Sequence, residues 1–145
     1  MRNLMLNFDG SCGPKQPSGL ATYSFIITED GQEEIASGGK IGIGLGSNYA
    51  EFFGLYKGLE YIEALIKKDL NEKFQVFVRG DSVLAINIMK KKRKAHQEAL
   101  YYPAAELAVL KALNLRELGV TIFFDWLPRE QNKLADALSK YQKYI

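Results

Sequence analysis

The chain has 145 residues, 47% apolar and 25% charged, with 13 Gly, 4 Pro and a single Cys. That length suits one domain with a self-sufficient core, and the balance excludes a disordered chain, a collagen-like repeat and a coiled coil. The net charge of +2 conceals an asymmetry: Lys90-Lys91-Lys92-Arg93-Lys94 supplies five of the 19 cations, leaving 14 against 17 acids elsewhere, which predicts one polyanion-facing patch on a slightly acidic body.

Lone Cys12 cannot form an internal disulfide. No run approaches the ~20 apolar residues of a membrane span, and Met1-Arg2-Asn3-Leu4 leads into a strand-like run without signal-peptide character. The expectation is a cytoplasmic monomer with no membrane partner.

Leu4 to Phe8 alternates weakly and stops at Asp9-Gly10, after which Ser11 to Gly19 gathers Gly, Pro and Ser as a loop. Leu20 to Thr28 is rich in β-branched and aromatic residues. It breaks at Glu29-Asp30-Gly31 and resumes as a weaker strand through Ile35, with another near Lys40 to Gly44. From Asn48 the period becomes helical, with Leu55, Leu59, Ile62 and Ile66 on one stripe of a helix reaching Lys68. Phe74 to Val78, stopped by Gly80, reads as a buried central strand. Asp81 is placed to cap a helix through Met89, and a further helix covers Glu98 to Leu118. Val120 to Trp126 is a strand, and the last helix carries Leu134, Leu138, Tyr141 and Ile145 on one side. Hairpin strands followed by alternating units predict an α/β fold, a mixed sheet flanked by helices.

Four carboxylates stand at marked positions, and each has an ordinary explanation. Asp9-Gly10 is a turn dipeptide, Asn48-x-x-Glu51 fits a capping box, Asp81 is a sound N-cap, and Asp136 suits a solvated helix. Yet Glu51 lies only about 40° from Leu55 around the helix, which aims it inward. Asp9 and Asp81 both end runs predicted to be adjacent central strands, at the sheet edge where ligands bind in open α/β folds. Acids converging there, with no Arg or Lys evident in these motifs to neutralise them, call for divalent cations, and oxygen-only ligation favours Mg²⁺ or Mn²⁺. Periodicity does not bring Asp136 to the others, since it falls roughly opposite the Leu134, Leu138, Tyr141 stripe. Trp126, Phe123, Phe124, Phe52 and Phe53 are expected in the core.

Four segments in this order resemble type 1 ribonuclease H: Phe8-Asp9-Gly10-Ser11-Cys12, Ser47-Asn48-Tyr49-Ala50-Glu51, Arg79-Gly80-Asp81-Ser82, and Trp126 to Ser139 with Asn132-Lys133-Leu134-Ala135-Asp136. The resemblance implies a ribonuclease H-like five-stranded mixed sheet with Asp9, Glu51, Asp81 and Asp136 as the catalytic, metal-holding set for two Mg²⁺ or Mn²⁺ ions. It implies cleavage of the RNA strand of an RNA/DNA hybrid to 5′-phosphate and 3′-hydroxyl ends, with Asp9 between the ions, and it brings Asp136 to the sheet edge. Ribose contact is implied for the backbone of Ser11, Cys12 and Gly13 and for Asn48 and Glu51, with Asn132 also at the substrate and Lys90, Lys91, Lys92 and Arg93 on phosphates.

Three departures from the family pattern are visible. Trp126 stands where many members carry a His, as in the branch with a short Pro-Arg-Glu-x-Asn loop, and Val83 replaces a common Gln. The long basic handle is reduced to Lys90 to Lys94. A non-catalytic hybrid-binding module is the alternative in a different class, and a DNA-cleaving relative is another. All four acids being present argues against the first.

Overall fold

The structure, a computed structural model, describes residues Met1 to Ile145. Five strands, β1 (Arg2–Gly13), β2 (Leu20–Glu29), β3 (Gln32–Ile43), β4 (Phe74–Gly80) and β5 (Thr121–Trp126), form one sheet in the order β3-β2-β1-β4-β5. The first three pair antiparallel, and β4 and β5 are parallel to β1 and to each other. Four helices accompany them: α1 (Gly46–Lys67), α2 (Val83–Met89), α3 (Tyr102–Glu117) and α4 (Lys133–Tyr141). None is long and apolar enough to cross a membrane.

Alternation along β1 assigns the layers. Leu4, Leu6 and Phe8 enter the apolar core with Leu55, Leu59, Ile62, Val76 and Val78, and α3 packs against α1, its Ala104, Ala108 and Leu115 in the same core. Successive side chains point to opposite faces. Asn7 and Asp9 therefore reach the other face, where they bond to Asn132 and Ser139 of the α4 segment.

Several boundaries differ from the pattern in the sequence. β1 does not stop at Asp9-Gly10; its ladder with β2 runs on to the pair Gly13↔Leu20, because cross-strand pairing overrides the turn preference of Asp-Gly. The two weak strands after Gly31 are one β3, continuous through Gly38 and Gly39. Those glycines give way to β2 and the C-terminus: a Cβ on Gly38 would meet Tyr23 O and Gln142. The helix expected from Glu98 begins at Tyr102, with Pro103 in its first turn, a position that proline favours.

Two expected caps are also replaced. α1 starts at Gly46, so Asn48 lies within its first turn and caps nothing. The cap of α2 is Ser82, whose hydroxyl accepts from Ala85 N at 3.0 Å, and not Asp81. Ser82→Ala should cost about 1 kcal/mol of stability, read as a lower urea midpoint at unchanged slope; an unchanged midpoint would remove the hydroxyl from any capping role.

Candidate active site

The last helix departs most from the sequence pattern. Its apolar stripe faces solvent: Leu134 and Tyr141 are 77% and 59% exposed, while Asn132, Ala135, Ser139 and Gln142 are buried. The reason is the surface that it covers. On this side β2 presents Thr22 and Ser24, both wholly buried, and a buried hydroxyl needs a partner. Thr22 Oγ1 donates to Ser139 O at 2.7 Å, Ser24 Oγ to Ala135 O at 2.5 Å, and Asn132 Nδ2 to Phe8 O at 3.0 Å. α4 thus docks by its polar face, and Asp136, between Asn132 and Ser139 on that face, is carried to the sheet edge.

At that edge Asp9, Glu51 and Asp81 each bring a carboxylate oxygen to within 4.8 Å of the others. Glu51 comes from above, because a Cβ on Gly10 would collide with the Glu51 amide and the Ala50 backbone. Only glycine lets the first turns of α1 lie on β1 this closely. Gly10 is thus required for close approach in mid-strand, not for a turn. Asp81 hangs just beyond β4, its carbonyl accepting from Trp126 Nε1 at 3.0 Å. Asp136 stands outside the tight trio but near enough that its charge acts on Asp9 and Asp81.

The electrostatics are those of crowded, buried acids. Burial pushes the Asp9 carboxyl up to about 7, helped by the charges of Asp81 and Asp136 and partly offset by the neighbouring Glu51 carboxyl. Glu51 is raised well above the carboxylate range, first by burial and then by Asp9. Asp81 is also raised by burial, against the opposing charge of Arg129.

Counter-charges are present, contrary to the expectation of none. Arg129 Nε lies 3.9 Å from Asp81 Oδ2, and Lys140 Nζ 3.2 Å from Asp136 Oδ2. Both cations are exposed; Arg129 partly offsets Asp81, and neither pairs with Asp9 or Glu51. Glu51 Oε2 and Asp81 Oδ2 are buried without a hydrogen-bond partner. A buried carboxylate oxygen without a hydrogen bond is costly, and two of them in one all-oxygen cluster fit a hard divalent cation.

The remaining expected site residues divide. Asn48 is exposed one helical turn before Glu51, and Ser11 and Cys12 are half-buried farther along β1. Past Asn7↔Arg79, β1 no longer pairs with β4, so its edge from Phe8 to Gly13 faces the cluster side without a strand partner. Gly13 is buried. Asn132, expected at the substrate, is 2% exposed, and its amide serves Phe8 O and Asn7 inside the protein. Lys90 to Lys94 are all exposed beyond the end of α2, roughly 10 Å of helix away from Asp81. His96 is exposed there too, outside the cluster.

Of the aromatics, Phe52 and Phe124 are core, whereas Phe123 is 43% and Trp126 50% exposed. α4 covers β1, β2 and part of β3, which leaves the face over β4 and β5 open, and there Phe123 stacks on Phe77 at 5.3 Å. Sequence reasoning gave Ser139, Thr22 and Ser24 no role. The available signal was Thr22 and Ser24, two small hydroxyl residues at a spacing of two on one face of β2.

A five-stranded mixed sheet whose edge gathers these acids beside a helix docked on its polar face defines a ribonuclease H-type hydrolase. Residues 7–142 match the family described as reverse transcriptase-like, and the chain belongs to that family. Among solved structures, the N-terminal RNase H domain of a Mycobacterium tuberculosis protein superposes with TM-score 0.81 at 23% identity, covering 98% of this chain and 94% of that one. RNase H1 from the halophilic archaeon Halobacterium salinarum gives 0.77 at 22%, covering 98% of each. LC11-RNase H1, isolated from compost by a metagenomic approach, gives 0.80 at 26%, covering 98% and 96%. A second structure of LC11-RNase H1, at 27% identity and TM-score 0.76 over 94% of each chain, holds an RNA/DNA hybrid.

Proposed function

We propose that this chain is an endonuclease that hydrolyses the RNA strand of RNA/DNA hybrids, leaving 5′-phosphate and 3′-hydroxyl ends, with two Mg²⁺ or Mn²⁺ ions held by Asp9, Glu51, Asp81 and Asp136. The observation that carries it is the trio Asp9, Glu51 and Asp81 gathered at one sheet edge, two of whose buried carboxylate oxygens have no hydrogen-bond partner. The hybrid held by LC11-RNase H1 supports the substrate. When bound, the ions supply the positive charge that activates a water and stabilises the departing 3′ oxygen.

The protein's part is placement. Asp9 projects from the sheet at the centre of the cluster, Glu51 closes it from α1, Asp81 from β4, and Asp136 from α4 on the side of the attacking water. Asn48, exposed one turn before Glu51, reads the ribose 2′-hydroxyl, the group that distinguishes RNA from DNA locally. Arg129 and Glu130, in the short loop that follows Trp126, take the part that the loop His plays in other members, and Arg129 Nε stands 3.9 Å from Asp81 Oδ2.

Labelled hybrid, duplex RNA and duplex DNA, each incubated with Mg²⁺, with Mn²⁺ and with chelator, test this reading. Cation-dependent cleavage of the hybrid's RNA strand alone is expected, and Asn48→Ala should narrow the preference for ribose at the scissile step. Equal cleavage of duplex DNA would favour a DNA nuclease, and no cleavage with either ion would favour a binding module.

The basic run is read as phosphate-gripping. Its distance from the acids predicts that neutralising Lys90 to Lys94 raises KM for hybrid with little change in kcat, since remote contacts bind ground and transition states alike. The slope of log affinity against log salt should fall by about one for each phosphate contact removed. A KM and a slope both unmoved would leave the run a solvated helix end.

A further inference from the structure

Ser139 lies in the second turn of α4, wholly buried, and has no part in the roles assigned above. Its hydroxyl oxygen stands 3.1 Å from Asp9 Oδ2 and 2.9 Å from the carbonyl oxygen of Asp136. One group therefore touches both β1 and α4 at the residues that carry two of the acids. A helix serine often turns its hydroxyl back on a carbonyl of the preceding turn, and that contact alone would make Ser139 unremarkable. The contact to Asp9 spans 130 positions in sequence, and it is the only hydrogen bond that the Asp9 carboxylate receives from outside the acidic cluster. The hydroxyl has one proton, and an ionised carboxylate is a better acceptor for it than a peptide carbonyl.

We propose that Ser139 is a positioning residue for the cation site: its hydroxyl fixes the orientation of the Asp9 carboxylate and locks it to the helix that carries Asp136. The inference rests on the two-ion reading given above. A ligating carboxylate held by a donor outside the ligand set is already oriented when the ion arrives, and losing such a donor typically weakens cation binding. Thr22 offers the contrast. It bonds to the backbone of the same residue, Ser139 O, and so docks the helix without touching the Asp9 side chain.

The test titrates Mg²⁺ or Mn²⁺ calorimetrically into the wild-type protein and into Ser139→Ala, Ser139→Cys, Thr22→Val and Asp9→Asn, without nucleic acid, beside melting curves of the metal-free proteins. Alanine is a strong helix former of smaller volume, so Ser139→Ala should fold. Its cation Kd is expected to weaken by about ten- to a hundredfold, with Ser139→Cys, a weaker donor at the same place, in between. Thr22→Val should melt lower yet bind the cation as the wild type does. In the cleavage assay Ser139→Ala should need more cation for half-maximal rate while its KM for hybrid at saturating cation stays put. Ser139→Ala binding the cation like wild type, or Ser139→Ala and Thr22→Val losing affinity equally, overturns the proposal and leaves Ser139 a docking residue. Wild type binding no better than Asp9→Asn overturns the two-ion reading itself, and the proposal with it.

Discussion

Asp9→Asn is expected to lower hybrid cleavage by a factor on the order of 10³ or more, because it removes the central charge of the site. The same change should raise the melting temperature of the metal-free protein at a pH above about 7, where Asp9 is ionised. Both effects have one cause. Asp9 is 2% exposed and faces Glu51, Asp81 and Asp136, so its charge is held in the fold against burial and like-charge repulsion. An asparagine keeps the shape and an oxygen that accepts from Ser139, and it relieves both penalties. Each kcal/mol relieved corresponds to about 2–4 °C for a chain of this size. Millimolar Mg²⁺ should stabilise the wild type and leave the variant where it was, since a ligand stabilises only the state that binds it. Activity and melting temperature falling together would make Asp9 a folding residue; cleavage retained in the variant would take its carboxylate out of the chemistry.

Most of the sheet could be read from the sequence because its strands carry their own signals. FQVFV at β4 is a short apolar run broken only by Gln75, and β2 is dense in β-branched and aromatic residues. Errors came where pairing overrode local preference. The Asp9-Gly10 dipeptide reads as a turn to any rule that looks only at neighbours. In the fold it is mid-strand, held by ten successive pairs between β1 and β2. The caps of α1 and α2 shifted, by three residues and by one, for the same reason: the chain's path onto the sheet, set by contacts distant in sequence, decides where the helix begins.

The site was legible in three of its acids and obscure in the fourth. Glu51 shares the inward stripe of its helix, and Asp9 and Asp81 lie at or just beyond apolar runs. Asp136 was hidden because the rule that an apolar stripe faces inward fails for α4. The surface receiving α4 is polar, built from Thr22 and Ser24, so the helix docks through carbonyls and hydroxyls and leaves Leu134 and Tyr141 in water. Periodicity within one helix carries no information about its receiving surface. The motif resemblance supplied the placement, and the hydrogen bonds now account for it. Asn132 shows the converse limit: its place in a motif suggested a substrate contact, while its burial shows that it ties the start of α4 to β1.

Stability of the metal-free protein should fall as pH rises from about 4.5 to about 7, the reverse of what most carboxylates produce. An acid whose folded pKa lies above its unfolded value binds more protons in the native state between the two, so its contribution is complete below the unfolded value and is lost as pH climbs through the folded one. Asp9 has a folded value of about 7, and Glu51 and Asp81 are raised as well, all chiefly by burial. Acids shifted the other way act outside this window. Glu29 and Glu60 are lowered by hydrogen bonds from Arg2 and Lys57, so their stabilisation is present above the ordinary carboxylate range and lost only in more acidic solution. Saturating Mg²⁺ should reverse the trend, because the ion takes the place of protons that the cluster must release, so its affinity rises over the same interval. Melting curves with chelator and with Mg²⁺ should therefore lie close together near the acid end and separate steadily toward the alkaline end. Curves with chelator that stay level or climb across the window would show that the acids are ionised in the metal-free fold at no cost. The buried oxygens of Glu51 and Asp81 that lack a hydrogen bond argue that they are not.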